Sequence, residues 1–147
     1  MTRDERFIEL AGRCAINSTI LSRHGCVLVV HGKPVSYGFN HTRNYSQDRI
    51  IQGFSCHAEM DALRNAMKRK VFDKRLPKSI MYSARLTRDS HYFDARPCEL
   101  CYQQMLKYGV SRIVYTDSKG EIETVQLHAY TPRYTTKGSE YMKTFTI

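Results

Sequence analysis

The chain has 147 residues, 41% hydrophobic and 25% charged, which suits one globular domain with room for a sheet and several helices. No run approaches the roughly eighteen apolar residues of a membrane span, and the polar start Met1-Thr2-Arg3-Asp4-Glu5-Arg6 lacks the apolar stretch of a secretory signal. Membrane insertion and export are therefore excluded as expectations, and a cytoplasmic setting is the default.

The first element expected is a helix over about residues 3–21, where Phe7, Leu10, Ala11, Cys14, Ser18 and Leu21 recur at helical spacing. A β-branched run follows, from Gly25 to His31. Gly32-Lys33 reads as a turn and Pro34 to Phe39 as the returning strand of a hairpin. From Asn40 to Ser55 the sequence is polar and irregular, a loop beside any site. A helix is expected from His57 to about Lys70, with Ala62, Leu63, Ala66 and Met67 as its apolar face and a basic far end. Ser79 to Leu86 reads as a strand and residues 87–96 as a loop. Pro97 suits the first position of a helix that stops at Gly109. Arg112 to Thr116 and Glu121 to Leu127 are strands around the tight turn Asp117-Ser118-Lys119-Gly120. The tail, residues 129–147, is polar with scattered aromatics. Alternating strands and helices imply neighbouring parallel strands, an antiparallel hairpin at each end of the chain order, and helices on both faces of one mixed sheet.

The net charge of +9 favours an anionic partner such as a nucleotide phosphate, RNA or single-stranded DNA, although the charge is scattered; its densest cluster runs from Lys68 through Lys70 to Lys74, Arg75 and Lys78. The five cysteines are Cys14, Cys26, Cys56, Cys98 and Cys101. An odd number without a signal argues against a disulfide framework, and metal is the first explanation for the Cys98-x-x-Cys101 pair.

The chemistry concentrates in His57-Ala58-Glu59 and Pro97-Cys98-Glu99-Leu100-Cys101. Two cysteines three apart at a helix start lie on one face, and a helix N-terminus stabilises thiolates. His57 at the start of another helix can meet them. One nitrogen and two sulfurs suit zinc, and three ligands leave a fourth position open, as a catalytic site requires. Glu59 lies one step further into its helix, close enough to move protons without ligating the metal. A structural zinc site with Cys56 as fourth ligand is the alternative, although adjacent ligands Cys56 and His57 are awkward geometrically and Glu59 would then be unused.

At these residues the sequence resembles the cytidine deaminase superfamily, over about residues 3–128 and in the H-x-E and P-C-x-x-C signature of zinc deaminases. The resemblance implies a three-layer α/β/α fold with a mixed five-stranded sheet and a C-terminal β-hairpin in one domain, residues 1–147. It implies one zinc ion held by His57, Cys98 and Cys101, with Glu59 as the catalytic proton shuttle. Gly38-Phe39-Asn40 is similar to a family segment whose asparagine contacts substrate, so Asn40 and the backbone N–H of Ala58 are implied substrate contacts. The activity implied is hydrolytic deamination of a cytosine-type base in a small nucleoside or nucleotide, within nucleotide metabolism, by a homo-oligomer with no membrane partner. Deamination within single-stranded DNA or RNA and a non-catalytic zinc or nucleic-acid-binding module are the alternatives. Two features depart from many relatives. The motif halves are 41 residues apart, His57 to Cys98, with the excess in residues 87–96; there Arg96 could meet a phosphate and His91, Tyr92 and Phe93 could stack on a base, or the segment could simply pack. The short link at residues 117–120 implies an antiparallel final pair, the arrangement of free-nucleoside cytidine deaminases.

Overall fold

The computed structural model describes residues 1–18, 22–41, 57–68 and 76–129. The expected end of the first helix at Leu21, most of the loop after Asn40 with Cys56, the basic cluster beyond Lys68 up to Arg75, and the tail from Tyr130 lie outside the described residues. Among the described residues, no helix is long and apolar enough to cross a membrane.

The elements run α1 (Arg3–Ala15), β1 (Arg23–Val30), β2 (Lys33–Phe39), α2 (Ala58–Lys68), β3 (Ser79–Leu86), β4 (Tyr92–Phe93), α3 (Glu99–Tyr108), β5 (Val110–Thr116) and β6 (Ile122–Gln126), then a single 3-10 turn, Leu127–Ala129. The sheet order is β2-β1-β3-β5-β6, with β4 paired to β3 beside that path. The five expected strands are thus present and mixed in direction. Helix α1 covers one face and α2 and α3 the other, which completes the three layers.

β1 lies between β2 and β3 and is antiparallel to both, so the strands flanking α2 are parallel but not neighbours as expected. Burial explains this. Seven of the eight β1 residues are buried, so the strand belongs in the sheet interior, whereas only two of the seven β2 residues are buried and the strand tolerates Pro34 at the edge. β3 and β5 are parallel neighbours, and β5 and β6 form the expected antiparallel hairpin. Its turn is tied by Asp117, whose Oδ1 accepts from Lys119 N and Glu121 N, both at 2.9 Å.

α1 starts at Thr2, whose Oγ1 accepts from Glu5 N at 3.1 Å. It ends at Ala15, earlier than the pattern suggested, and Ser18 lies beyond it with Oγ donating to Asn40 O at 2.9 Å. Phe7, Ile8 and Ala11 pack on Val27, Val29, Tyr82, Ala84 and Val114. In the first hairpin the turn is His31-Gly32, one residue earlier than read; both have positive φ, 53° and 78°, which a two-residue turn of matching twist requires. Pro97 is not the first helical residue. Cys98 is the extended N-cap of α3, and its carbonyl accepts from Tyr102 N at 3.0 Å. Gly109 ends α3 with φ of 94°.

Candidate active site

Position starts with a glycine. A Cβ on Gly38 would lie 2.4 Å from Ala62 N and 2.5 Å from Ala58 O, so only glycine lets the first turn of α2 sit directly on β2. Ser36 Oγ then donates to Ala62 O at 2.8 Å, and Phe39 N donates to Asp61 Oδ2 at 3.1 Å. These bonds fix the first turns of α2 against β2. His57 caps that helix, its carbonyl accepting from Asp61 N at 3.0 Å. Two of the three candidate ligands, His57 and Cys98, are therefore cap residues of facing helices. Cys98 makes no side-chain capping bond, which leaves its sulfur turned to the site.

There the structure brings the predicted ligands together. His57 Nδ1 is 3.1 Å from Cys101 Sγ and 3.5 Å from Cys98 Sγ, and the three donor atoms all lie within 4.8 Å of one another. Zinc bonds of about 2.0–2.3 Å in a tetrahedron require donors roughly 3.5–3.8 Å apart, so small adjustments would accommodate the ion. The two thiols titrate as a pair. Hydrogen bonding from the Cys101 thiol, helped by His57 and opposed by burial, holds the Cys98 pKa down to about 3. Burial and the neighbouring Cys98 push Cys101 well above its ordinary value. Burial disfavours charge on His57, but the hydrogen bond and charge of Cys98 outweigh it and raise its pKa. The centre thus holds a thiolate beside groups that release protons as a cation enters.

Glu59 is 1% exposed, and among the described residues its Oε1 has no hydrogen-bond partner. Burial pushes its pKa up to about 7, against the pull of His57 and Arg85. A carboxyl poised near neutrality, with one oxygen unspent, is suited to accepting and returning a proton. Ala58 is fully buried and opens α2, where the first N–H groups lack intrahelical partners. Asn40 is buried at the end of β2. Its Oδ1 accepts from His24 N at 2.9 Å and its Nδ2 donates to Ser22 O at 2.8 Å, so the amide pins β2 to the start of β1. One amide hydrogen and one lone pair remain beyond those two bonds.

A polar floor that neither motif announces lies beside Glu59. His24, Cys26, Ser83 and Arg85 line β1 and β3 on the α2 side, and His24, Cys26 and Glu59 form a second group of donors within 4.8 Å. The signal was present as alternation: beginning the strand at Arg23 places His24, Cys26 and Leu28 on one face. The insert over residues 87–96 turns outward at the exposed residues 88–91 and packs back on the sheet from Tyr92. β4 pairs with Arg85 and Leu86, where β5, which stops at Thr116, leaves the edge of β3 open. Thr116 Oγ1 donates to Phe93 O at 2.6 Å and Ala95 N to Thr116 O at 2.8 Å. Tyr92 and Phe93 are half-buried, the latter under Arg85, and Arg96 lies over the Tyr115 ring.

A family profile described as the cytidine and deoxycytidylate deaminase zinc-binding region matches residues 1–117. The chain belongs to this deaminase family. Solved structures share the deaminase's fold at low identity. A cytidine deaminase from Burkholderia pseudomallei superposes with a TM-score of 0.63 at 20% identity, covering 90% of this chain and 98% of that one. A dCMP deaminase from the cyanophage S-TIM5 gives 0.56 at 19%, covering 78% and 82%. A structure from a study of A-to-I editing by tRNA:A34 deaminases gives 0.53 at 19%, covering 80% and 78%. No curated protein sequence matches the deaminase. Zinc is the metal of the family, and the imidazole and two thiols gathered here fit it.

Proposed function

We propose that this deaminase hydrolyses the exocyclic amine of a cytosine-type base in a nucleoside or nucleotide, with His57, Cys98 and Cys101 as zinc ligands and Glu59 as the proton carrier. The observation that carries the reading is the unspent oxygen of a buried Glu59 beside three converging zinc donors. The chemistry the metal supplies there is Lewis acidity toward a water molecule. Glu59 takes a proton from that attacking water and passes protons to the ring nitrogen and the leaving amine. Overall, water adds at C4, the C4–N bond breaks, and a uracil product and ammonia leave. Asn40 and the Ala58 N–H are proposed as substrate contacts.

The antiparallel β5–β6 hairpin and the breadth of the likeness to a cytidine deaminase support a small pyrimidine substrate. The net charge of +9 and the likeness to a tRNA deaminase favour a second reading, deamination of a base within single-stranded nucleic acid. The second half of the insert supports the first reading, because Tyr92 and Phe93 pair with the end of β3 and are half-buried there. A reducing, intracellular setting goes with free thiol ligands, and self-association is part of the proposal. The test is zinc-loaded protein with cytidine, deoxycytidine, CMP and dCMP, scored for ammonia and the uracil product. Turnover of none of them, with C-to-U or A-to-I changes in single strands, would move the assignment to nucleic acid.

A further inference from the structure

Two groups in the floor of this site are buried without the partner each ordinarily takes. Among the described residues, Glu59 Oε1 has no donor and Arg85 Nε has no acceptor. They are complementary, and among the described residues Arg85 has no carboxylate within 4.0 Å. A carboxylate and a guanidinium left unsatisfied in one buried region close into a bidentate pair unless something stands between them.

One imidazole, that of His24, neighbours both groups. It is the cross-strand partner of Arg85 in the β1–β3 ladder, and it is 2% exposed. Its Nδ1 lies 3.2 Å from Arg85 Nη2 and 3.6 Å from Glu59 Oε1. Arginine can only donate, so Nδ1 accepts and the ring proton is on Nε2. Nε2 then donates to Ser83 Oγ at 2.5 Å, and Ser83 passes its own hydrogen to the Ala95 carbonyl at 3.2 Å. The donors and acceptors of this chain agree in one direction, which locks the imidazole in a single tautomer and orientation. The chain ends in the segment just before Pro97-Cys98, so the insert itself anchors the ring.

We propose that His24 is a positioning residue that holds the Arg85 guanidinium off Glu59 and so leaves the carboxylate free for the proton transfers of deamination. A direct bidentate pair would occupy both carboxylate oxygens, whereas the proposed carrier needs an oxygen free to reach the attacking water. The groups facing Glu59 are His57 on its own helix, His24 and Cys26 on β1, Arg85 on β3, and Cys98 and Cys101 on α3. Arg85 is the permanent cation in that set. The inference rests on the role of Glu59 in the proposed function.

The test compares H24A, H24N, H24A/R85M and E59Q, each as full-length zinc-loaded protein with its zinc content and Tm measured. In H24A, kcat falls by about tenfold or more while KM stays within about twofold and zinc content is full. A crystal structure of H24A shows an Arg85 nitrogen less than about 4 Å from a Glu59 oxygen. H24N regains at least about a third of the wild-type kcat, because Asn Oδ1 falls where Nδ1 was and accepts the same N–H. H24A/R85M also recovers, although it removes still more buried side chain; a merely structural role for His24 would make the double variant worse. Undiminished kcat in H24A, an Arg85 that stays away from Glu59 in its crystals, or a double variant no faster than H24A overturns the inference. If E59Q is fully active, the failure belongs to the functional reading instead; an inactive E59Q with an unaffected H24A sinks only the role of His24.

Discussion

Replacing Glu59 with glutamine separates what this side chain does for chemistry from what it does to stability, because the two effects have opposite signs. The amide keeps the shape and cannot carry a proton. General acid–base catalysis by one group is worth about 10²–10⁴ in rate, or about 2.7–5.4 kcal/mol of barrier, and E59Q loses that much kcat. Stability moves the other way. The carboxyl is fully buried, and its pKa in the folded chain is about 7 against an ordinary 4.5. A raised acid pKa means the folded state holds the proton more tightly than the unfolded state. Stability is therefore lost as pH rises from the unfolded value through about 7. The cost reaches about 3 kcal/mol at alkaline pH, and glutamine does not bear it. Metal-free E59Q at pH 8 melts several degrees above metal-free wild type, and the difference closes at pH 4. The assays are ammonia release by zinc-loaded protein, zinc content, and thermal melts of stripped protein at both pH values. Retention of more than about a tenth of kcat refutes Glu59 as the proton carrier. A loss of zinc in E59Q shows that it is a ligand, and a lower Tm at pH 8 refutes the burial argument.

Substituting alanine for His57, or serine for Cys98 or Cys101, abolishes stoichiometric zinc by elemental analysis. A chelator abolishes wild-type turnover, and added zinc restores it. G38A loses about 2 kcal/mol or more in denaturant melts and most of its activity, since a Cβ 2.4 Å from Ala62 N forces α2 away from β2. His24 is held neutral, its pKa pushed well below 6.5 by burial and then by Arg85 and His57. The unfolded chain takes up a proton there and the folded chain does not. Its contribution is therefore complete above about pH 6.5 and falls by about 1.4 kcal/mol per pH unit below it, and H24N flattens that part of the stability profile. N40A loses about 1–3 kcal/mol, because Ser22 O and His24 N lose a buried partner. If Asn40 also touches substrate, KM rises as well, and an unchanged KM in N40A rules that contact out.

His57-x-Glu59 and Pro97-Cys98-x-x-Cys101 were legible because a catalytic zinc centre needs a particular set of side chains at short, local spacings. The strand over Ser79–Leu86, the stop at Gly109 and the turn after Asp117 were legible for the same reason: backbone periodicity and turn chemistry act over a few residues. The C-terminal hairpin followed from a link too short for anything else. The placement of β1 between β2 and β3, the pairing of β4 with the end of β3, and the junction of His24 with Arg85, Ser83 and Glu59 could not be read this way. Each joins residues far apart in the chain, and which strands become neighbours depends on how much apolar surface the whole sheet can bury. Local chemistry thus named in advance the imidazole, the two thiols and the carboxyl that we propose as metal ligands and proton carrier. Only the packing of distant segments determined what surrounds that carboxylate, and with it which buried oxygen has no partner among the described residues.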